Sequence, residues 1–141
     1  MIRAVLDTNV LVSAEIKPEG NPNQILRRLD QFEWLTSEYI LTELTQVLSR
    51  KHIQAKYQKQ AAAKAQARYI DLIRAEAIVI SVTTEVTAVS KDLKDNPILG
   101  CAVDGKAEYV VTGDKHLLEL EAYEEIRIVT PSEFLEILSR L

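Results

Sequence analysis

The chain has 141 residues, 47% of them hydrophobic, and a formal net charge of −4 at pH 7. That length suits one domain, residues 1–141, with an apolar core that needs no disulfide or structural metal, and 4 Gly and 4 Pro exclude collagen-like, low-complexity and disordered classes. A single cysteine, no apolar run long enough to span a membrane and no signal-peptide pattern after Met1 predict a cytoplasmic protein.

Strand and helix patterns alternate from the N-terminus. In chain order the first half predicts a strand over 2–6, a helix over 9–14, a loop at 18–22, a helix around 25–29, an extended piece at 32–35 and a helix from an N-cap at Ser37 to about Arg50. Apolar β-branched runs carry the strands, and apolar residues at helical spacing carry the helices.

The second half continues the alternation. It predicts a long Ala-rich helix over 56–75, a strand at 77–80, a helix from an Asn96-Pro97 cap to Val103, a strand at 108–112, a helix at 115–120, a strand at 126–129 and a helix after the capping box at 130–133. Alternating strands and helices imply right-handed crossovers and a central parallel sheet covered on both faces, an α/β/α sandwich.

Three carboxylates fall where this architecture places ligands, outside the carboxyl ends of the strands. Asp7 follows the first strand by one residue, and Asp114 follows the strand at 108–112 by two. Asp95 lies at the mouth of the helix after the third strand's connection. We expect all three at one rim of the sheet.

Glu43 is the fourth candidate, and helical periodicity places it. It lies about 100° from the centre of its helix's apolar stripe, at the margin where a side chain emerges beside the core. The stripe consists of Ile40, Leu41, Leu44, Val47 and Leu48.

Four carboxylates in one cleft would repel one another, and a hard divalent cation relieves that repulsion. Oxygen ligands without Cys or a clear His favour Mg²⁺ or Mn²⁺ over zinc. A structural interpretation stays open for each residue alone, because Asp7, Asp95 and Asp114 all suit helix N-caps and Glu43 suits a solvated surface.

Four sequence blocks occur in a recognisable order. They are DTNVLVSA at 7–14, ELTQVLSR at 43–50, DNPILGCAV at 95–103 and AEYVVTGDKHLL at 107–118. Together they resemble the signature segments of PIN-domain nucleases, most closely the prokaryotic VapC-type toxins, and the agreement in order and spacing runs over the whole chain.

The resemblance implies a PIN-like α/β/α fold and a Mg²⁺- or Mn²⁺-dependent endoribonuclease that leaves 5′-phosphate and 3′-hydroxyl ends. It makes Asp7, Glu43, Asp95 and Asp114 the catalytic, metal-holding quartet. Asn9 and Thr112 become polar helpers beside them. It also implies an RNA substrate, an antitoxin partner that covers the cleft, and a homodimer.

Two other acids flank the third block, Asp92 and Asp104. We prefer Asp95 as the metal ligand because the helix starts directly after it. Asp104 lies at the other end of that helix, about 13 Å away at 1.5 Å per residue, and is expected to be remote from the cleft.

One segment of the acidic chain is basic. Residues 50–74 carry a net charge of +6, and the rest of the chain carries −10. This basic arm is the candidate RNA contact, although lysines on an Ala-rich helix are also common as a solvated face. Its candidate RNA-binding residues are Arg50, Lys51, Lys56, Lys59, Lys64 and Arg68.

Three other functions compete with this one. A response-regulator receiver needs paired acids at the end of its first strand, whereas Val5 and Leu6 precede the single Asp7. A haloacid-dehalogenase-type phosphatase needs Asp-x-Asp, and Asn9 occupies the second acidic position. A non-catalytic PIN module that binds RNA or docks a partner stays open, because four acids do not prove turnover.

Overall fold

The computed structural model describes residues 1–56, 62–87, 93 and 95–141. Its sheet has the order β3-β2-β1-β4-β6-β5, and every pair is parallel except β5 with β6. The strands are β1 (Arg3–Leu6), β2 (Glu33–Thr36), β3 (Ile78–Val79), β4 (Tyr109–Val111), β5 (Ala122–Tyr123) and β6 (Ile126–Val129).

Helices cover both faces of this sheet. They are α1 (Thr8–Ile16), α2 (Asn21–Leu26), α3 (Glu38–Leu48), α4 (Lys51–Gln54), α5 (Ala62–Glu76), α6 (Asp95–Asp104), α7 (Lys115–Leu118) and α8 (Pro131–Ser139), with a 3₁₀ turn at Leu29–Gln31. Right-handed crossovers place α1–α5 on one face and α6 and α7 on the other. The helix α6 packs on β1, β2 and β4, and α8 packs on α2. The three-layer α/β/α prediction is therefore confirmed.

The core lies between these layers. Ala4, Val5 and Leu6 of β1 are fully buried at the centre of the sheet. The ring of Phe134 on α8 packs edge-on against Phe32, with centroids 5.1 Å apart, and against Tyr109 at 5.8 Å. Aromatic pairs of this geometry stabilise the layer contact beyond the area they bury.

Several predicted helix starts are confirmed by their hydrogen bonds. The Ser37 hydroxyl accepts a bond from the backbone N–H of Ile40 at the start of α3. Thr130 and Glu133 form the reciprocal capping box that opens α8. Tyr69 on α5 donates its hydroxyl to the carbonyl of Leu11, 2.6 Å away, and so fastens α5 onto α1.

The structure differs from the predictions at three places, and part of one further prediction lies outside the described residues. The helix predicted from Ser37 to Arg50 ends at Leu48, and α4 begins after a break at Arg50. The helix α6 starts at Asp95, so Asn96 is not its cap; Pro97 is tolerated because N–H groups of the first turn have no intrahelical partner. Residues 57–61 of the predicted 56–75 helix lie outside the described residues. The antiparallel strand β5 was not predicted.

No helix within the described ranges combines the length and apolar character that a membrane crossing requires.

Candidate active site

The crevice between β1 and β4 is the topological switch point of this sheet. The chain leaving β1 moves towards β2, and the chain leaving β4 moves the other way towards β6. Ligands of open α/β sheets bind at such a point, beyond the strand ends. Asp7 stands there, with its backbone N–H donating to the carbonyl of Val111 on β4, 2.9 Å away.

A cavity of about 430 Å³ opens at this point. The structure brings together there all four acids that the sequence singled out, although they come from four separate segments. The cavity is lined by Asp7, Thr8, Asn9, Val12, Ser13, Glu43, Val47, Arg50, Asp95 and Asp114. Thr112 lies behind Asp7, fully buried.

Asp7 is the most constrained of the acids. Its Oδ1 accepts a bond from the backbone N–H of Thr8 at 2.7 Å and so caps α1. Its Oδ2 accepts from the Thr112 hydroxyl at 2.8 Å and from the Asn9 amide at 3.0 Å. Both the structural interpretation as a cap and the placement in the cleft are therefore correct for Asp7.

Asn9 and Thr112 link the ends of β1 and β4. The Asn9 side-chain oxygen accepts from the backbone N–H of Gly113 at 2.9 Å. The Thr112 hydroxyl accepts from the backbone N–H of Asp114 at 2.9 Å. Since that hydroxyl is acceptor to one acid's backbone and donor to another acid's side chain, it fixes the spacing of Asp7 and Asp114.

The pKa of Asp7 is raised from 3.8 to about 6, mainly by burial and also by the nearby carboxylates of Asp95 and Glu43, against the opposing hydrogen bonds from Thr112 and Thr8. Only 5% of the surface of Asp7 is exposed to solvent. A negative charge here is unfavourable in the absence of a cation, which is the electrostatic state that a metal would relieve.

The other three acids surround Asp7 from different elements. Asp95 is buried in the first turn of α6, at 4% exposure. Glu43 is half-buried on α3. Asp114 caps α7, with its Oδ1 accepting from the backbone N–H of His116 at 2.8 Å, so its cap role is also correct.

Asp104 does not line this cavity. Its Oδ2 accepts from the backbone N–H groups of Thr83 and Thr84 at 2.6 and 2.9 Å. These bonds hold the segment after β3, and hydrogen bonding by Thr84 lowers the pKa of Asp104. Asp92, the other alternative to Asp95, lies outside the described residues.

The donor chemistry of the cleft fits a hard divalent cation. Four carboxylates, with no Cys or His among the lining residues, are oxygen ligands of the type Mg²⁺ and Mn²⁺ prefer. Within the part of the chain that the structure describes, no three His, Cys, Asp or Glu side chains are yet arranged around one metal position. The residues present fit the group by type and charge.

A second and larger cavity, of about 740 Å³, lies between the segment 82–87 and the start of α6. Of the described residues that line it, only Glu85 is ionisable, whereas four carboxylates line the smaller cavity. The smaller, acidic cavity is therefore the candidate active site.

The basic arm separates into two parts. Arg50 lines the acidic cavity, whereas Lys51, Lys56, Lys64 and Arg68 are exposed and line no part of it. Lys59 lies outside the described residues. The structure adds Arg50, Thr8 and Ser13 to the lining of the cleft, where the sequence patterns had not placed them. The helical period gives no signal for Arg50, because α3 ends at Leu48 and Arg50 is extended.

Comparison with known proteins gives three findings. A family model described as PIN domain matches residues 3–116. The uncharacterized protein MJ1680 of Methanocaldococcus jannaschii is 28% identical over 144 residues, which cover 96% of this chain and 90% of that protein. A chain of the Rickettsia felis VapBC2 structure, bound to a DNA fragment from their promoter, superposes with a TM-score of 0.59 at 14% identity, covering 92% of this chain and 98% of that one.

Proposed function

The chain belongs to the PIN-domain family, and on that premise we propose that it is a Mg²⁺- or Mn²⁺-dependent endoribonuclease that hydrolyses RNA phosphodiester bonds. One observation carries the proposal. Four carboxylates from four separate segments line one cavity at the switch point of the sheet, and mutual repulsion helps to raise the pKa of one of them. A fold that maintains such repulsion gains from it only when a cation enters.

Asp7, Glu43, Asp95 and Asp114 are the residues that would hold the cation. Bound there, a divalent metal supplies activation of water and neutralisation of charge on the phosphate oxygens. Asn9 and Thr112 orient Asp7 through the bonds of 3.0 and 2.8 Å to its Oδ2. Asp114 is held in turn because its backbone N–H donates to the Thr112 hydroxyl.

RNA is negatively charged, so the carboxylates of the cleft repel it and other groups must attract it. The exposed cations Lys51, Lys56, Lys64 and Arg68 lie on α4, α5 and the chain between them. Contacts from such side chains to phosphates release counterions and attract the polyanion over a Debye length. We infer that this arm gathers RNA without reading its sequence.

The biological setting belongs to the same proposal. The VapBC2 structure is a likeness at the level of fold, and by analogy we propose that this single 141-residue domain acts in the cytoplasm as the toxin of a toxin–antitoxin pair. Its partners are then an antitoxin that covers the cleft and a second copy in a homodimer.

A non-catalytic module that binds RNA or docks a partner is the second candidate. The observation that favours it is the arrangement of the acids, since no three His, Cys, Asp or Glu side chains of the described residues surround one metal position. The two candidates differ in turnover, and a cleavage assay separates them.

The test is cleavage of end-labelled structured and unstructured RNA by purified protein with Mg²⁺, Mn²⁺ or EDTA. Asp7→Asn is the inactivating variant, and Asp30→Asn removes an exposed carboxylate that lines no part of the cleft. The proposal expects metal-dependent cleavage by wild type and Asp30→Asn and none by Asp7→Asn. Cleavage equal in all three proteins marks a contaminant. Binding of RNA and metal without cleavage supports the non-catalytic module instead.

A further inference from the structure

Arg50 is the cationic residue among the described residues that line the acidic cavity, and the others are acidic, polar or apolar. It stands seven residues after Glu43 and three after Val47, which also line the cavity. The break between α3 and α4 falls at Arg50, where the backbone is extended with φ −65° and ψ 142°. The position of Arg50 is therefore set by the end of α3 and the start of α4.

The backbone of Arg50 is fixed on both sides. Its N–H donates to the carbonyl of Val47 at 3.1 Å, and its carbonyl accepts from the N–H groups of Ile53 and Gln54 at 3.0 and 2.9 Å. The side chain makes no capping bond to α4. The guanidinium therefore stands on a rigid base without serving the helix that it precedes.

Arg50 also makes no ion pair with any residue that the structure describes. The ion pairs among those residues join Arg3 with Glu33, Arg74 with Glu38 and Arg140 with Glu136. An exposed arginine in a cleft with four carboxylates that binds none of them is available to another anion.

The charge of the cleft indicates which anion. Among the described lining residues, four carboxylates and one guanidinium carry a formal charge of −3, and one divalent cation would reduce it to −1. A polyanion entering such a site needs a positive group beside the metal. A guanidinium presents paired N–H donors that match two phosphate oxygens, and such charge-assisted bonds are stronger than bonds between neutral groups.

We propose that Arg50 binds a backbone phosphate of the RNA next to the scissile one and so fixes the register of the strand over the four acids. This inference rests on the proposed function and adds a substrate requirement to it. The RNA must carry at least one phosphate beyond the bond that is cut, on the side where Arg50 stands. Arg50 is a positioning residue, distinct from the diffuse attraction by the exposed lysines.

The test compares Arg50→Ala, Arg50→Lys and a matched control, Arg27→Ala. Arg27 is exposed, lines no part of the cleft and makes a single side-chain bond, to Asn23. We expect Arg50→Ala to raise KM for a short single-stranded RNA about 10-fold or more with kcat nearly unchanged, as for a contact made equally in ground and transition states. Arg50→Lys keeps the charge without the fork and should fall between Arg50→Ala and wild type.

Two readouts separate phosphate binding from a structural role. The slope of log affinity against log salt concentration should fall by about 0.7 in Arg50→Ala, the value for one phosphate contact with a single strand. The second readout removes the charge of the phosphate itself. The RNA carries one uncharged methylphosphonate linkage beside the cut, with a 2′-O-methyl sugar at that position, and wild type should bind it more weakly than unmodified RNA. The same linkage should leave Arg50→Ala unaffected, because the contact is already lost.

Each result decides the matter. If wild type cleaves RNA but Arg50→Ala behaves like Arg27→Ala, the phosphate contact is wrong and the proposed nuclease stands. The contact is also wrong if the uncharged linkage, tested on each side of the cut, weakens wild type and Arg50→Ala equally. If wild type neither cleaves nor binds RNA while Mn²⁺ raises its melting temperature, the proposed function fails and this inference fails with it. Melting curves of all variants verify that each protein is folded.

Discussion

The buried carboxylate of Asp7 makes the stability of the metal-free protein depend on pH in an unusual direction. Its pKa rises from 3.8 to about 6 on folding, so the folded protein binds this proton more tightly than the unfolded chain does. The stability that protonated Asp7 contributes is present below pH 3.8 and is lost as the pH rises through about 6. The rise in pKa corresponds to about 3 kcal/mol, at 1.36 kcal/mol for each tenfold change.

The change that exposes this contribution is Asp7→Asn. The amide keeps an oxygen for the N–H of Thr8, and asparagine is as good an N-cap as aspartate. In the wild type, Oδ2 of Asp7 accepts hydrogen bonds from Asn9 and Thr112. In the variant an NH₂ group, which is a donor, takes the place of that oxygen. The donor–donor contact with Asn9 destabilises the variant by about 1–3 kcal/mol at every pH. Near neutral pH the unfolding free energies of wild type and Asp7→Asn are therefore similar. Their dependence on pH still differs, because only the wild type carries the titrating carboxyl.

The measurement is urea unfolding of wild type and Asp7→Asn in EDTA, at several values from about pH 4 to about pH 7. We expect the unfolding free energy of wild type, relative to Asp7→Asn, to fall by about 2.4 kcal/mol across this range, because unfolded Asp7 is already partly ionised at pH 4. Asp30→Asn controls for the removal of one negative charge from an exposed position. A difference between wild type and Asp7→Asn that stays constant with pH would refute the burial and repulsion inferred for Asp7.

Two further predictions concern the core. Burial raises the pKa of the Cys101 thiol to about 12, so a thiolate-directed reagent should fail to label the folded protein at about pH 8 and should label it in urea; rapid labelling of the folded state would contradict this. Phe134→Ala should lower the unfolding free energy by about 3–5 kcal/mol in urea titrations, because the fully buried ring leaves a cavity against Phe32 and Tyr109. A loss of less than about 1 kcal/mol would mean that this layer contact is not formed.

The positions of Asp7 and Asp114 could be read from the sequence because strand ends are strong local signals. Asp7 directly follows β1, Asp114 comes three residues after the end of β4, and parallel strands align their carboxyl ends. Glu43 could be placed because its apolar stripe is regular over three turns, so its angular position is set by the helix alone. These inferences needed only the local period and the rule for parallel sheets.

Features that depend on tertiary contacts escaped the sequence. The strand β5 has only two residues, Ala122 and Tyr123, and follows Glu121, whose φ is +60°. A second left-handed residue, Glu124 with φ +55°, closes the turn to β6. Turn patterns are recognised by Gly or Asn at such positions, and glutamates at both gave no signal.

The placement of Arg50 failed for a different reason. Helical periodicity counted from Ile40 continues smoothly past Leu48, so the sequence placed Arg50 with the lysines that follow it. The helix ends because the backbone of Arg50 is extended, and Gln54 donates its side-chain amide to the carbonyl of Leu48. That bond joins residues six apart and is invisible to a period of 3.6.

The burial of Asp7 beside the other carboxylates has a cost in stability as long as no cation is bound. Asp7 joins the end of β1 to α1 and to Thr112, the residue after β4, through its side-chain hydrogen bonds, so its removal would disturb the junction as well as the site. The carboxylate is therefore retained at a position where its charge is unfavourable by about 3 kcal/mol in the absence of a cation. A cation that binds only the folded chain adds about 2.7 kcal/mol at 100 times its dissociation constant. Metal binding at that level would offset most of the penalty, so the acids that destabilise the empty site are those through which a bound cation would stabilise the fold.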